Sequence, residues 1–80
     1  MVNIQSAAEA LFASAIQISD AAPASAIEAA ITITILRLGT EGCACVLATE
    51  YGEHPETACI RMRWALATVS LVFQRNATHN

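Results

Sequence analysis

The first helical pattern lies close to the N-terminus. Between Asn3 and Ser19, apolar residues return every three or four positions, and they form a stripe made of Ile4, Ala8, Leu11, Ala15 and Ile18, widened by Phe12 and Ile16. This spacing keeps the side chains on one face of an α-helix. The sequence therefore predicts an amphipathic helix over residues 3–19.

A second helix is predicted over Ala26 to Leu38, and this segment is apolar on almost all sides. The preceding stretch, residues 20–24, contains Pro23 and reads as a connection. Ser25 and Glu28 have the spacing of a capping box, in which each side chain accepts a hydrogen bond from a backbone N–H of the first turn. A helix without a polar face is usually buried. We therefore expect this helix to lie inside the protein.

The same segment has a second possible structure. Residues 31–35 alternate between Ile and Thr, all of them β-branched, which is typical of a strand. With the glycines at Gly39 and Gly42, the chain could form a β-hairpin over residues 31–49. We favour the helix, because Gly39 suits the position after a helix end and Thr40 suits the next N-cap.

Two further helices are predicted in the second half of the chain. A short one over Glu41 to Tyr51 would end at Gly52, and Pro55 suits the first position of the last helix. In that last helix a coiled-coil-like seam is formed by Cys59, Met62, Leu66, Val69 and Phe73, and a second apolar row by Ile60, Trp64, Ala67 and Leu71. A helix with two apolar rows should contact more than one neighbour.

Together these elements predict an all-α protein, a small four-helix bundle with short Gly-containing turns. The alternative is an α+β fold with a hairpin at residues 31–49. The whole chain, 1–80, is predicted to be one helical domain, with a polar tail at residues 75–80 that frays.

Composition narrows the range of partners. Hydrophobic residues make up 55% of the chain and charged residues 14%, and the net charge is -3 with Arg as the cation and no Lys. A negative chain with few cations opposes non-specific binding to nucleic acid. The N-terminus lacks the basic region of a signal peptide, and the uncharged stretches are shorter than a membrane span. We expect a cytoplasmic protein without a membrane span.

The candidate ligand-type residues are Cys43, Cys45, His54 and Cys59. A zinc site would need four such ligands in tetrahedral geometry, but residues two apart point to different sides of a helix or a strand. Buried packing is the commoner role of free cysteine. We therefore assign no metal, no cofactor and no catalytic residue, and predict that the protein is not an enzyme.

Our main functional hypothesis is a non-enzymatic helical module for protein–protein interaction, most simply a homodimer. The contact would use the last helix, with an interface formed by Arg61, Met62, Arg63, Trp64, Leu66, Val69 and Phe73. Two other hypotheses are a thiol or metal-binding protein that uses the cysteines and His54, and a small DNA-binding regulator with a helix-turn-helix around Gly39 or Gly52. The two remaining helices cannot easily bury the apolar residues of both the second and the last helix, and we therefore expect a second chain.

Overall fold

A computed structural model describes residues 3–78, with side chains through residue 74. It contains three α-helices, α1 (Ile4–Ala13), α2 (Ala24–Glu53) and α3 (Pro55–Thr78), and a 3₁₀ turn at Ile18–Asp20. The all-α prediction is confirmed. The four-helix count is not, because three helices are present, and no strand occurs among residues 3–78, so the α+β alternative is not supported.

Helix α1 is shorter than the pattern over residues 3–19 predicts. It begins where the Asn3 side chain accepts a hydrogen bond of 2.7 Å from the backbone N–H of Ser6. It ends at Ala13, because the Ser14 hydroxyl donates to the Leu11 carbonyl at 2.7 Å and accepts from the Ile16 N–H at 3.2 Å. Such local side-chain bonds compete with the next helical turn. Residues 14–23 therefore form an irregular connection.

The predicted capping box is wrong. Helix α2 begins one residue before Ser25, its N-cap is Pro23, and this N-cap has no side-chain hydrogen bond. A cap of this type lies in the 3₁₀ turn instead, where the Gln17 N–H donates to the Asp20 carboxylate at 2.8 Å. The fixed φ of Pro23 suits the residue before a helix, so α2 can begin there without a capping side chain.

Helix α2 includes both of the helices that are predicted separately over residues 26–38 and 41–51. Only Gly39 has non-helical dihedrals within it, with φ 71° and ψ 168°. Thr34 and Cys43 are both buried, although positions nine apart on an unbroken helix would face about 180° away from each other. The break at Gly39 therefore rotates the second half of α2 so that both halves bury a face.

Helix α3 begins at Pro55 as predicted. Its buried row differs from the predicted seam and consists of Ala58, Met62, Ala65, Val69 and Val72. Of the seam, Met62 and Val69 are therefore correct, whereas Cys59 is exposed, and from the second row Ile60 and Leu71 are exposed. The predicted seam contains only large side chains and Cys59, whereas two of the five buried positions of α3 are alanines.

Helix α1 lies at the centre of the bundle and contacts both α2 and α3. Its Ala7, Ala8 and Ala10 are completely buried, beside Leu11. Alanine carries little side-chain volume, so helices that meet through alanine can approach closely. The core is consequently small, and the bundle is elongated, with extents of 41 × 24 × 18 Å.

Candidate functional site

The predicted interface residues do not share one surface. Met62 and Val69 lie in the core, at 8% and 0% exposure, so neither can contact a partner in this conformation. Trp64, Leu66 and Phe73 are half-buried and pack against the edge of the core, and Arg63 is exposed. Arg61 is half-buried and bound within the chain, as described next.

Arg61 is the most highly connected polar side chain of the described residues. Its Nε donates to the Phe12 carbonyl at 2.9 Å, and its Nη2 lies within 3.3 Å of the carbonyl oxygens of Leu11, Ser14 and Ile16. These carbonyls end α1 and begin the following connection, where the helix dipole is negative. The guanidinium thus caps α1 from the neighbouring helix α3.

Two aromatic rings hold the same guanidinium. Its Cζ lies 4.9 Å from the centroid of Trp64 and 5.7 Å from that of Phe12, which are cation–π distances. The Phe12 ring also stacks on Tyr51 of α2, with centroids 6.3 Å apart. Partial burial lowers the pKa of Arg61, while Glu50 opposes that shift. Arg61 therefore joins α1, α2 and α3 at one end of the bundle.

A cleft of about 770 Å³ opens beside Arg61. Its lining includes Ile16, Val46 and Ile60 together with Glu50 and Arg61, so apolar walls surround one acid and one base. The lining also contains the hydroxyl groups of Ser14, Ser19 and Thr57, and it contains no His, Cys or Lys.

The possible metal ligands of the described residues lie elsewhere than the sequence suggests. Glu50, Glu53 and His54 place one ligand atom each within 4.8 Å of one another at the end of α2. His54 was a predicted candidate, but none of the three cysteines joins this group. Glu53 and His54 are exposed, and exposed acidic groups of this kind are common without a bound ion.

The three cysteines have different environments. Cys43 is buried, and both burial and the nearby Glu9 raise the pKa of its thiol. Cys45 and Cys59 are exposed on α2 and α3. The buried thiol packs in the core, whereas the exposed thiols are accessible to reagents.

The outer face of α2 is defined by the exposed residues Ala29, Ile33, Leu36, Arg37, Glu41, Cys45 and Ala48. Leu36 is 80% exposed and Ile33 is 53% exposed. Leu36 also borders a mostly apolar groove of about 420 Å³ that is closed on the other side by Phe73. This face therefore presents large apolar side chains to solvent.

Helix α2 is also long and apolar enough to cross a membrane, as judged by length and composition alone. The core helix of a soluble protein can meet the same criterion, although only 17% of the most apolar window of α2 is buried here. The sequence predicts no span, because its uncharged stretches are shorter than the roughly 18 residues that a span needs. The helix therefore has an apolar surface that the chain itself does not cover.

Comparison with known proteins gives no relative: no family model, no curated protein and no solved structure matches this chain.

Two features of this site had sequence signals that were interpreted differently. Arg61 lies nearly two turns into α3, among apolar residues, and a cation in such a row can indicate an intramolecular cap rather than an interface rim. The sequence pattern predicts that one helix ends at Gly39, and it therefore does not predict a face that continues along both halves of α2. The change of buried face at Gly39 cannot be obtained from helical periodicity.

Proposed function

We propose that this protein is a non-enzymatic helical module that binds another protein chain, in the simplest case a second copy of itself. One observation carries the proposal: large apolar side chains lie on the outside of the bundle, while five of its thirteen buried hydrophobic residues are alanines. These exposed residues include Leu36 (80%), Leu71 (63%) and Ile60 (58%). Burying one such side chain contributes about 1.5–3 kcal/mol, so a partner that covers several gains useful affinity.

The total surface supports the same proposal. The chain exposes 5239 Å², whereas a compact monomer of its mass would expose about 4600 Å². The difference, roughly 600 Å², reflects an elongated shape that leaves more surface uncovered than a compact domain of this mass. An elongated bundle with an apolar outer surface has room for a contact with a second chain.

The contact surface differs from the one that the sequence suggested. Because Met62 and Val69 lie in the core, a contact through α3 would use the exposed Ile60 and Leu71 with Arg63. A contact through α2 would use the outer face with Ile33 and Leu36. Few residues of α2 are buried, so much of this helix is accessible to a partner.

The two alternatives from the sequence have less support. A site built from Cys43, Cys45, His54 and Cys59 would bring these ligands together, but the described group of ligand atoms around His54 contains no cysteine. A helix-turn-helix would need a turn of about three to four residues. In contrast, α2 runs through both Gly39 and Gly52, and one residue separates it from α3.

Native mass spectrometry of the full chain tests the proposal and locates the surface. We expect a dimer that increases between about 1 and 200 µM, the range expected for micromolar affinity. Leu36→Gln tests α2 and Leu71→Gln tests α3, with Thr49→Gln as the control for a longer polar side chain at an exposed site of α2 away from the groove beside Leu36. Dimer loss with one Leu variant identifies the surface, whereas a monomer at every concentration would contradict self-association.

A further inference from the structure

The outer face of α2 carries opposite charges at equal distances from Gly39. Arg37 precedes Gly39 by two positions and Glu41 follows it by two positions. Both side chains are exposed, and no ion pair of either one is found among the described side chains. Two charges of opposite sign thus lie on either side of the helix break, and neither has an ion-pair partner among the side chains of residues 3–74.

The exposed apolar residues of α2 also differ in size on the two sides of Gly39. Before Gly39 the exposed side chains include the large Ile33 and Leu36. After Gly39 they are small, with Ala44, Cys45 and Ala48 exposed. A surface with a large half and a small half is complementary to itself when one copy is reversed.

Resting on the proposed self-association, we propose that a second copy packs antiparallel along the outer face of α2, with a twofold axis at Gly39. Each residue then faces the partner residue at the same distance on the other side of Gly39. Arg37 faces the partner's Glu41, and the twofold axis repeats this pair. Ile33 faces the partner's Cys45, so a large side chain meets a small one at both ends of the contact.

Other arrangements of α2 fit these observations less well. A parallel pair would bring Arg37 beside the partner's Arg37 and Glu41 beside the partner's Glu41, and like charges so placed repel. It would also place large residues against large ones and leave a gap between the small halves. If α2 crossed a lipid bilayer, Arg37 and Glu41 would lie near the centre of the bilayer, where burying a charge costs the most free energy.

A disulfide between two copies tests the register. In a Cys59→Ser background, Ile33→Cys introduces a thiol opposite the partner's Cys45, and mild oxidation of the full chain should give a covalent dimer. Peptide mapping should find the bond between the introduced thiol and Cys45, and further Cys45→Ser should abolish the dimer. Ile60→Cys in the same background is the matched control, because this exposed position lies on α3.

Charge reversal tests the same register by an independent measurement. Arg37→Glu or Glu41→Arg alone creates two like-charged pairs across the axis, and we expect the Kd to rise about tenfold at low salt. The double variant restores opposite charges, and we expect a Kd within about threefold of the natural chain. Circular dichroism confirms that each variant remains helical. A double variant as weak as the single variants would overturn the arrangement.

The outcomes separate this inference from the proposed function. Covalent dimers that form equally with the α3 control, or bonds mapped between other thiols, would overturn the twofold contact while self-association stands. A monomer at all concentrations without a covalent dimer would overturn both. Flotation of the monomeric chain with vesicles of phosphatidylcholine and phosphatidylglycerol would likewise overturn both, and would identify α2 as a membrane-binding helix.

Discussion

Replacement of Arg61 should destabilise the bundle more than replacement of any other arginine with a described side chain. Arg61→Met keeps most of the aliphatic length of the side chain and removes the guanidinium. The carbonyls of Phe12, Ser14 and Ile16 then lose the guanidinium donor, the Leu11 carbonyl keeps only its bonds from Ser14, and the aromatic rings of Phe12 and Trp64 lose their cation.

The expected loss in the free energy of unfolding is limited because Arg61 is only partly buried. A hydrogen bond to a charged group contributes about 1.5–3 kcal/mol when buried, but such bonds are not additive when one group makes them all. Arg61 is only half-buried, so water can replace part of what is lost. We expect the free energy of unfolding to fall by about 2 kcal/mol, which lowers the Tm of a domain of this size by about 10 °C.

Urea unfolding followed by far-UV circular dichroism measures this loss. Arg63→Met is the matched control, because Arg63 is exposed on the same helix two positions away, and it should change stability by less than about 0.5 kcal/mol. Arg61→Lys retains the charge but cannot reproduce the planar set of donors, so most of the loss should remain. Equal stabilities of the Arg61→Met and Arg63→Met variants would refute the capping role.

Three further predictions concern the helix break and the thiols. Gly39→Ala should lower the free energy of unfolding by about 1–3 kcal/mol, because φ 71° with ψ 168° is open almost only to glycine. Gly52→Ala is the contrasting variant, because Gly52 lies at a helical site with free space, and it should raise the free energy of unfolding by up to about 1 kcal/mol in the same urea assay. Burial raises the pKa of Cys43, so the unfolded chain loses this proton first, and stability should fall as pH rises above about 8.5, with a shallower slope in Cys43→Ala. Labelling of the native protein by a thiol reagent at low concentration should be fast at two cysteines, Cys45 and Cys59, and slow at Cys43; equal rates at all three would contradict the buried position of Cys43.

The helices could be predicted from local rules because local interactions determine them. Pro55 begins α3 as its fixed φ and missing N–H favour, and the apolar segment before Gly39 is helical despite its β-branched residues. The helix ends were less predictable. Ser14 ends α1 through bonds of its own hydroxyl, within a pattern that continues to Ile18.

The faces of the helices depend on tertiary contacts, which periodicity does not describe. Ala58 and Ala65 lie in the core because α1 approaches α3 closely, and the larger Ile60 and Leu71 remain outside. The break at Gly39 changes which face of α2 is buried, and a single glycine gives no indication of the size of that rotation. For the same reason, the role of Arg61 could not be predicted before α1 was placed beside α3.

Sedimentation equilibrium of the full chain tests the central claim, that this small bundle associates with a second copy, most directly. Between about 1 and 200 µM we expect the weight-average mass to rise from 8.4 kDa towards twice that value, with a fit to a monomer–dimer equilibrium. A mass that stays at 8.4 kDa across the whole range would contradict the account.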